Sequence, residues 1–71
     1  MDYERKEIIK AYVRFLDALP VTERRVFLCR YWYVDSVEAI ADKFGFSQSK
    51  VKTMLHRTRS KLRKQLAEEG Y

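Results

Sequence analysis

The sequence predicts an all-α fold, a four-helix domain with a helix-turn-helix and a long C-terminal helix suited to recognition. Three observations carry this. Apolar residues recur at helical rather than strand spacing. Only two Gly and one Pro interrupt 71 residues that are 46% hydrophobic and 35% charged, the composition of a folded helical chain rather than a disordered tail. Charge is also segregated: residues 1–42 hold seven Lys/Arg against eight Asp/Glu, whereas residues 43–71 hold eight against two. The formal net charge of +5 therefore sits almost wholly in the last element.

The first helix, about 4 to 18, is read from the stripe Ile8, Tyr12, Phe15, Leu16 and Leu19, with Glu7, Lys10, Arg14 and Asp17 between its members. Pro20 forbids its continuation. Thr22 then offers a hydroxyl cap to a second helix, with Glu23 in its favourable first turn, running through Val26, Phe27, Arg30 and Tyr31. By propensity Tyr31-Trp32-Tyr33 also suits a strand, but the flanking spacing favours helix. Ser36 caps a short third helix from Val37 to about Phe44, and Ser47 caps a fourth that lasts until Gly70 stops it. The chain reads as one domain over 1–71, a leading helix over 1–18 and a core over 19–71, without internal repeat or linker.

Several function classes are disfavoured at once. A chain this short buries a modest core and has little room for an enclosed active site. With one His, one Cys, no glycine-rich phosphate loop and no clustered carboxylates besides Glu68-Glu69, an enzyme is the weakest reading. No metal site and no cofactor are expected. Cys29 cannot form an intramolecular disulfide, is expected in the core, and fits a reducing, cytoplasmic setting. The first ten residues are charged, and no stretch approaches the roughly 18 apolar residues needed to span a bilayer. No membrane association is expected.

Between Lys43 and Lys64 stand eight basic side chains and no acidic one. A polyanion gains free energy by releasing condensed counterions to such a surface, although a basic run also serves as a merely solvated face. The joint between the third and fourth helices meets the needs of a helix-turn-helix: Ala41 permits close crossing and Gly45 tolerates positive φ. Ile40, Phe44, Phe46, Val51 and Leu55 then fall inward, which turns Gln48, Ser49, Lys52, Thr53 and His56 outward as groups able to read base edges. Hairpins with Ala and Gly at these places also occur in unrelated bundles, so the motif alone leaves DNA binding open. Lys50 and Lys52 sharpen it, because cations beside the positive end of a helix dipole break a local rule without visible compensation, and a bound phosphate would reverse the sign.

Leu19-Pro20, RRVFLCRYW from Arg24 to Trp32, Ser36, Ile40-Ala41, FGFS from Phe44 to Ser47 and VKTMLHRTRSKLR from Val51 to Arg63 together resemble region 4 of bacterial RNA polymerase sigma factors, nearest to the extracytoplasmic-function type. The resemblance covers roughly Leu19 to Leu66. It implies recognition of the minus-35 element of double-stranded promoter DNA, docking on the β-subunit flap of the RNA polymerase core, and transcription initiation. Residue by residue it puts Lys52, Thr53, His56 and Arg57 at base-facing or groove-edge positions, with Ser47, Gln48, Ser49, Lys50 and Arg59 nearer phosphates. His56 has no acidic or cysteine neighbour in sequence, so stacking or a polar base contact suits it better than metal ligation. Two positions depart from the pattern: Val34 stands where many members have Gly, and Ala39 where many have Glu. Seventy-one residues leave no room for the upstream region 2, so the resemblance implies an excised C-terminal domain or a stand-alone relative.

Two alternatives stay open at this level. One is a stand-alone helix-turn-helix regulator, which would normally dimerise on paired half-sites, whereas a monomer is expected here. The other is a partner-binding module, such as an anti-sigma target, in which Val51, Leu55, Thr58, Leu62 and Leu66 pack on another helix; the same stripe equally suits an intramolecular core. The expected core holds Val26, Phe27, Ile40, Phe44, Val51 and Leu55.

Overall fold

The structure, a computed structural model, describes residues 2–70, with side chains from Lys6 onward; Met1 and Tyr71, the outermost residues of the expected domain, lie outside the described residues. Four helices follow in order: α1 (Asp2–Ala18), α2 (Val21–Tyr31), α3 (Val37–Phe44) and α4 (Gln48–Glu68). The described residues contain no strand.

Each joint has a local cause. The Leu19 amide donates to the Leu16 carbonyl at 3.2 Å, and Pro20 then leaves the helical region at φ −54°, ψ 148°. Pro20 itself is the N-cap of α2, its carbonyl accepting from the Arg24 amide at 3.0 Å, and no side chain caps this end. The cap expected at Thr22 is therefore corrected: Thr22 lies inside the first turn, because the pyrrolidine ring supplies a suitable entry φ without a hydroxyl. At the other end Trp32 is the C-cap, and the Trp32 and Tyr33 amides both donate to the Leu28 carbonyl, at 2.8 and 3.1 Å. The serine caps of α3 and α4 form as expected. Ser36 Oγ accepts from the Ala39 amide at 3.0 Å and Ser47 Oγ from the Lys50 amide at 3.1 Å. Gly45 takes the left-handed conformation at φ 70°, and α4 ends just before Gly70 at φ 87°.

Two apolar clusters hold the helices. Val26, Ile40, Ala41, Val51 and Leu55 are buried where α2, α3 and α4 meet, with Cys29, Val37, Phe44, Phe46 and Met54 packed partly against them. Full burial of side chains such as Val26, Ile40 and Val51 stabilises by about 1.5–3 kcal/mol each. Phe44 is only half-buried, unlike the other expected core members, since the last position of α3 leaves one side of its ring on the turn, stacked on Phe46 with centroids 5.9 Å apart. The second cluster centres on buried Phe27, whose ring meets Tyr31 at 4.7 Å, Tyr12 at 6.1 Å and Phe15 at 6.5 Å.

The docking face of α1 corrects the expected stripe. Phe15 and Leu19 are buried and Tyr12 and Leu16 half-buried, but Ile8 is exposed and Ala11 is completely buried. Residues 11, 15 and 19 recur every four positions, and the small Ala11 lets the helix approach closely. Arg14 Nη2 reaches Glu69 Oε1 at 2.9 Å and ties α1 to the end of α4. On α4, Val51, Leu55 and Thr58 are buried and Leu62 and Leu66 half-buried, so this stripe is spent inside the fold.

Candidate nucleic-acid interface

With Val51, Leu55, Thr58 and Leu62 turned inward, the rest of α4 follows from about 100° of rotation per residue. Ser49, Thr53, His56 and Ser60 fall opposite the buried line and form an exposed ridge of hydrogen-bonding groups without Lys or Arg. Lys52, Arg59 and Arg63 line one flank of that ridge, and Lys50, Arg57, Lys61 and Lys64 line the other. All nine residues singled out from the sequence, Ser47, Gln48, Ser49, Lys50, Lys52, Thr53, His56, Arg57 and Arg59, are exposed on this helix or its cap. Lys52 and Arg57 stand on opposite flanks.

The start of α4 leaves several hydrogen-bond donors free. Ser47 accepts the Lys50 amide through its side-chain oxygen and the Val51 amide, at 3.1 Å, through its carbonyl, so its hydroxyl proton remains available to donate. As the first two positions of a helix, Gln48 and Ser49 have amides without an intrahelical acceptor. Lys50 is less uncompensated than its position suggests: Nζ lies 4.0 Å from the Phe46 ring centroid, and this cation–π contact offsets part of the unfavourable helix-dipole interaction. Periodicity places Phe46 in the core and gives no sign of this contact, which uses the ring face left half-exposed.

Tertiary contacts divide the eight basic residues into three kinds. Lys43 and Lys61 face carboxylates, Asp35 Oδ2 at 3.1 Å and Glu23 Oε2 at 3.4 Å, so their charges are partly cancelled. The hydrogen bond that Lys43 donates to Asp35, and the negative charge of that carboxylate, hold the Lys43 ammonium above its ordinary pKa. Lys50 and Arg59 rest on neutral groups, the Phe46 ring and the Tyr31 hydroxyl, the latter accepting from Arg59 Nη1 at 2.9 Å. Lys52, Arg57, Arg63 and Lys64 make no ion pair or side-chain hydrogen bond among the described residues. Among the described residues, six of these eight positive charges thus face solvent without a countercharge.

The family model described as Sigma-70, region 4 matches residues 9–62, well over half of the chain. This chain belongs to that family. The region 4 match begins inside α1, ten residues before the motifs at Leu19, and ends inside α4 at Leu62. It thereby takes in the buried face of α1, Ala11 and Phe15, which packs into the fold. Region 4 is a DNA-binding helix-turn-helix module of sigma factors, a non-enzymatic family that acts in transcription. Comparison with curated proteins and with solved structures gave no match. Among the described residues, no helix is long and apolar enough to cross a membrane.

The region 4 domain also carries an apolar groove on the side of α1. Ile9, Tyr12 and Val13 of α1 face Leu28, Trp32 and Tyr33 at the end of α2 across a volume of about 650 Å³. Trp32 is 74% exposed and Ile9 59%. The sequence held a hint of this: Ile8, Ile9 and Val13 add apolar residues to α1 beyond those a single docking stripe uses.

Proposed function

We propose that this domain, of extracytoplasmic-function type, reads the minus-35 promoter element with α4 and docks on the RNA polymerase core at the β flap through the α1–α2 groove. The observation that carries the DNA half is the exposed face of α4, a ridge of hydrogen-bonding side chains between two cationic rows. Such a face fits a major groove, where polar side chains meet base edges while the flanks meet the two phosphate backbones. Lys52 and Arg57, unengaged and at the rims of the ridge, are assigned to base edges together with Thr53 and His56. Ser47, Gln48, Ser49, Lys50 and Arg59 are assigned to phosphates. The groove supports the protein half: a contiguous exposed apolar surface marks an interaction site, and the stripe on α4 is already used internally. The groove is equally the surface an anti-sigma factor would have to occlude, and the domain is proposed to act as a monomer.

The test starts from a duplex selected out of a randomised library by the domain. Lys52→Ala and Arg57→Ala should each lose about 1–3 kcal/mol on that duplex and much less on a scrambled one. Arg59→Ala should weaken both equally and flatten the dependence of log K on log salt by about one unit. Val13→Glu, inside the groove, should abolish co-purification with core polymerase while leaving duplex binding intact. Uniform losses for Lys52 and Arg57 would show that α4 grips without reading; retained co-purification of Val13→Glu would remove the groove from the docking surface.

A further inference from the structure

We infer that Tyr31, on α2 and outside the recognition helix, is a positioning residue for the phosphate contact of Arg59; this rests on the DNA-binding role assigned to α4. Arg59 and Lys61 lie two positions apart, which turns them to opposite flanks of α4, and each is met by a residue of α2. The two meetings differ in kind. Glu23 places a carboxylate 3.4 Å from Lys61 and partly cancels its charge, whereas Tyr31 offers Arg59 a neutral phenol oxygen at 2.9 Å.

A neutral acceptor fixes the direction of a guanidinium without weakening its attraction to a polyanion. One N–H is occupied, and four of the five donors of the planar fork remain for phosphate oxygens. The anchor is firm, because the Tyr31 ring lies 4.7 Å from the ring of Phe27, which is buried against α1. A long side chain that is already oriented loses less rotamer freedom when the phosphate arrives. The same logic describes Lys50 on Phe46, but Phe46 also packs on the core, so its replacement would mix folding with binding. Tyr31 can be altered by one oxygen atom.

The test compares the parent chain, Tyr31→Phe, Arg59→Ala and the double variant on a random-sequence duplex, following anisotropy from about 50 to about 200 mM salt. Tyr31→Phe should raise Kd about threefold, with the salt slope unchanged because the Arg59 charge remains. Arg59→Ala should raise Kd further and flatten the slope by about one unit, and the double variant should match Arg59→Ala. Thermal unfolding of Tyr31→Phe should coincide with that of the parent, since an exposed hydrogen bond adds little to stability. Unchanged or tighter binding by Tyr31→Phe, or a further full loss when it is added to Arg59→Ala, overturns the inference. A parent chain that fails to bind any duplex overturns the DNA reading itself and this inference with it.

Discussion

The turns that enter α3 and α4 follow one plan with different residues. Each passes through a left-handed position, Val34 at φ 58° and Gly45 at φ 70°, then one further residue, then a serine cap. The two caps are nearly superimposable in backbone terms, with φ, ψ of −70°, 157° at Ser36 and −73°, 156° at Ser47. The supports differ. Around Gly45 backbone alone suffices: the Gly45 and Phe46 amides both turn back to the Ala41 carbonyl, the latter at 2.9 Å, as in a Schellman ending. Around Val34 the structure braces a β-branched residue in a region it disfavours. The Asp35 amide donates to the Cys29 carbonyl at 2.9 Å, Arg30 Nη1 donates to the Asp35 carbonyl at 3.0 Å, and Lys43 holds the Asp35 carboxylate. The geometry that a serine cap requires can thus be met by a permissive residue or by surrounding contacts that outweigh local strain.

The largest loss of stability should come beneath the Gly45 turn. Ala41 is 4% exposed at the crossing of α3 with α4, so Ala41→Leu should cost about 1–3 kcal/mol in urea unfolding by overpacking. A neutral result would show that close approach is not needed there. Gly45→Val should follow, at about 1–2 kcal/mol, a cost that arises from φ alone because no neighbouring heavy atom lies within 4 Å of an added Cβ. If Gly45→Val unfolds at the parent's midpoint, the left-handed φ is not a constraint on this turn. The smallest effect has the opposite sign. Val34 is 77% exposed, so Val34→Asn forfeits little packing and should stabilise by about 0.5–1 kcal/mol through relief of the left-handed strain. Destabilisation by Val34→Asn would mean that the valine side chain makes a contact worth more than its strain.

Features decided within one helical turn were legible in the residues. The serine caps need only a hydroxyl three residues before an amide, Gly45 needs only its missing Cβ, and Ile40, Val51 and Leu55 follow from periodicity. The outward placement of Gln48, Ser49, Lys52, Thr53 and His56 follows by subtraction, as what remains once the inward line of α4 is known, whereas Ser47, Lys50, Arg57 and Arg59 enter through the family resemblance; all nine are exposed. Val34 was visible only as a departure from the family pattern, because nothing about valine announces a positive φ. The expected Thr22 cap fails for a local reason too, since Pro20 both stops α1 and starts α2.

The sequence by itself therefore determined four helices, two serine-capped starts, a tight turn at Gly45 and a basic face on the last helix, because each depends on interactions a few residues long. Tertiary structure alone decided which side of α1 docks, since α1 carries apolar residues on more than one side and only the presence of α2 and α4 selects Ala11, Phe15 and Leu19. It also decided which cations are cancelled, steadied or left unengaged. Arg59 meets Tyr31 across 28 residues, Lys61 meets Glu23 across 38 and Arg14 meets Glu69 across 55, and no periodicity encodes pairings over such separations. They exist because the two clusters around Ile40 and Phe27 fix how the helices cross, and crossing angle is a property of packed surfaces rather than of any one segment.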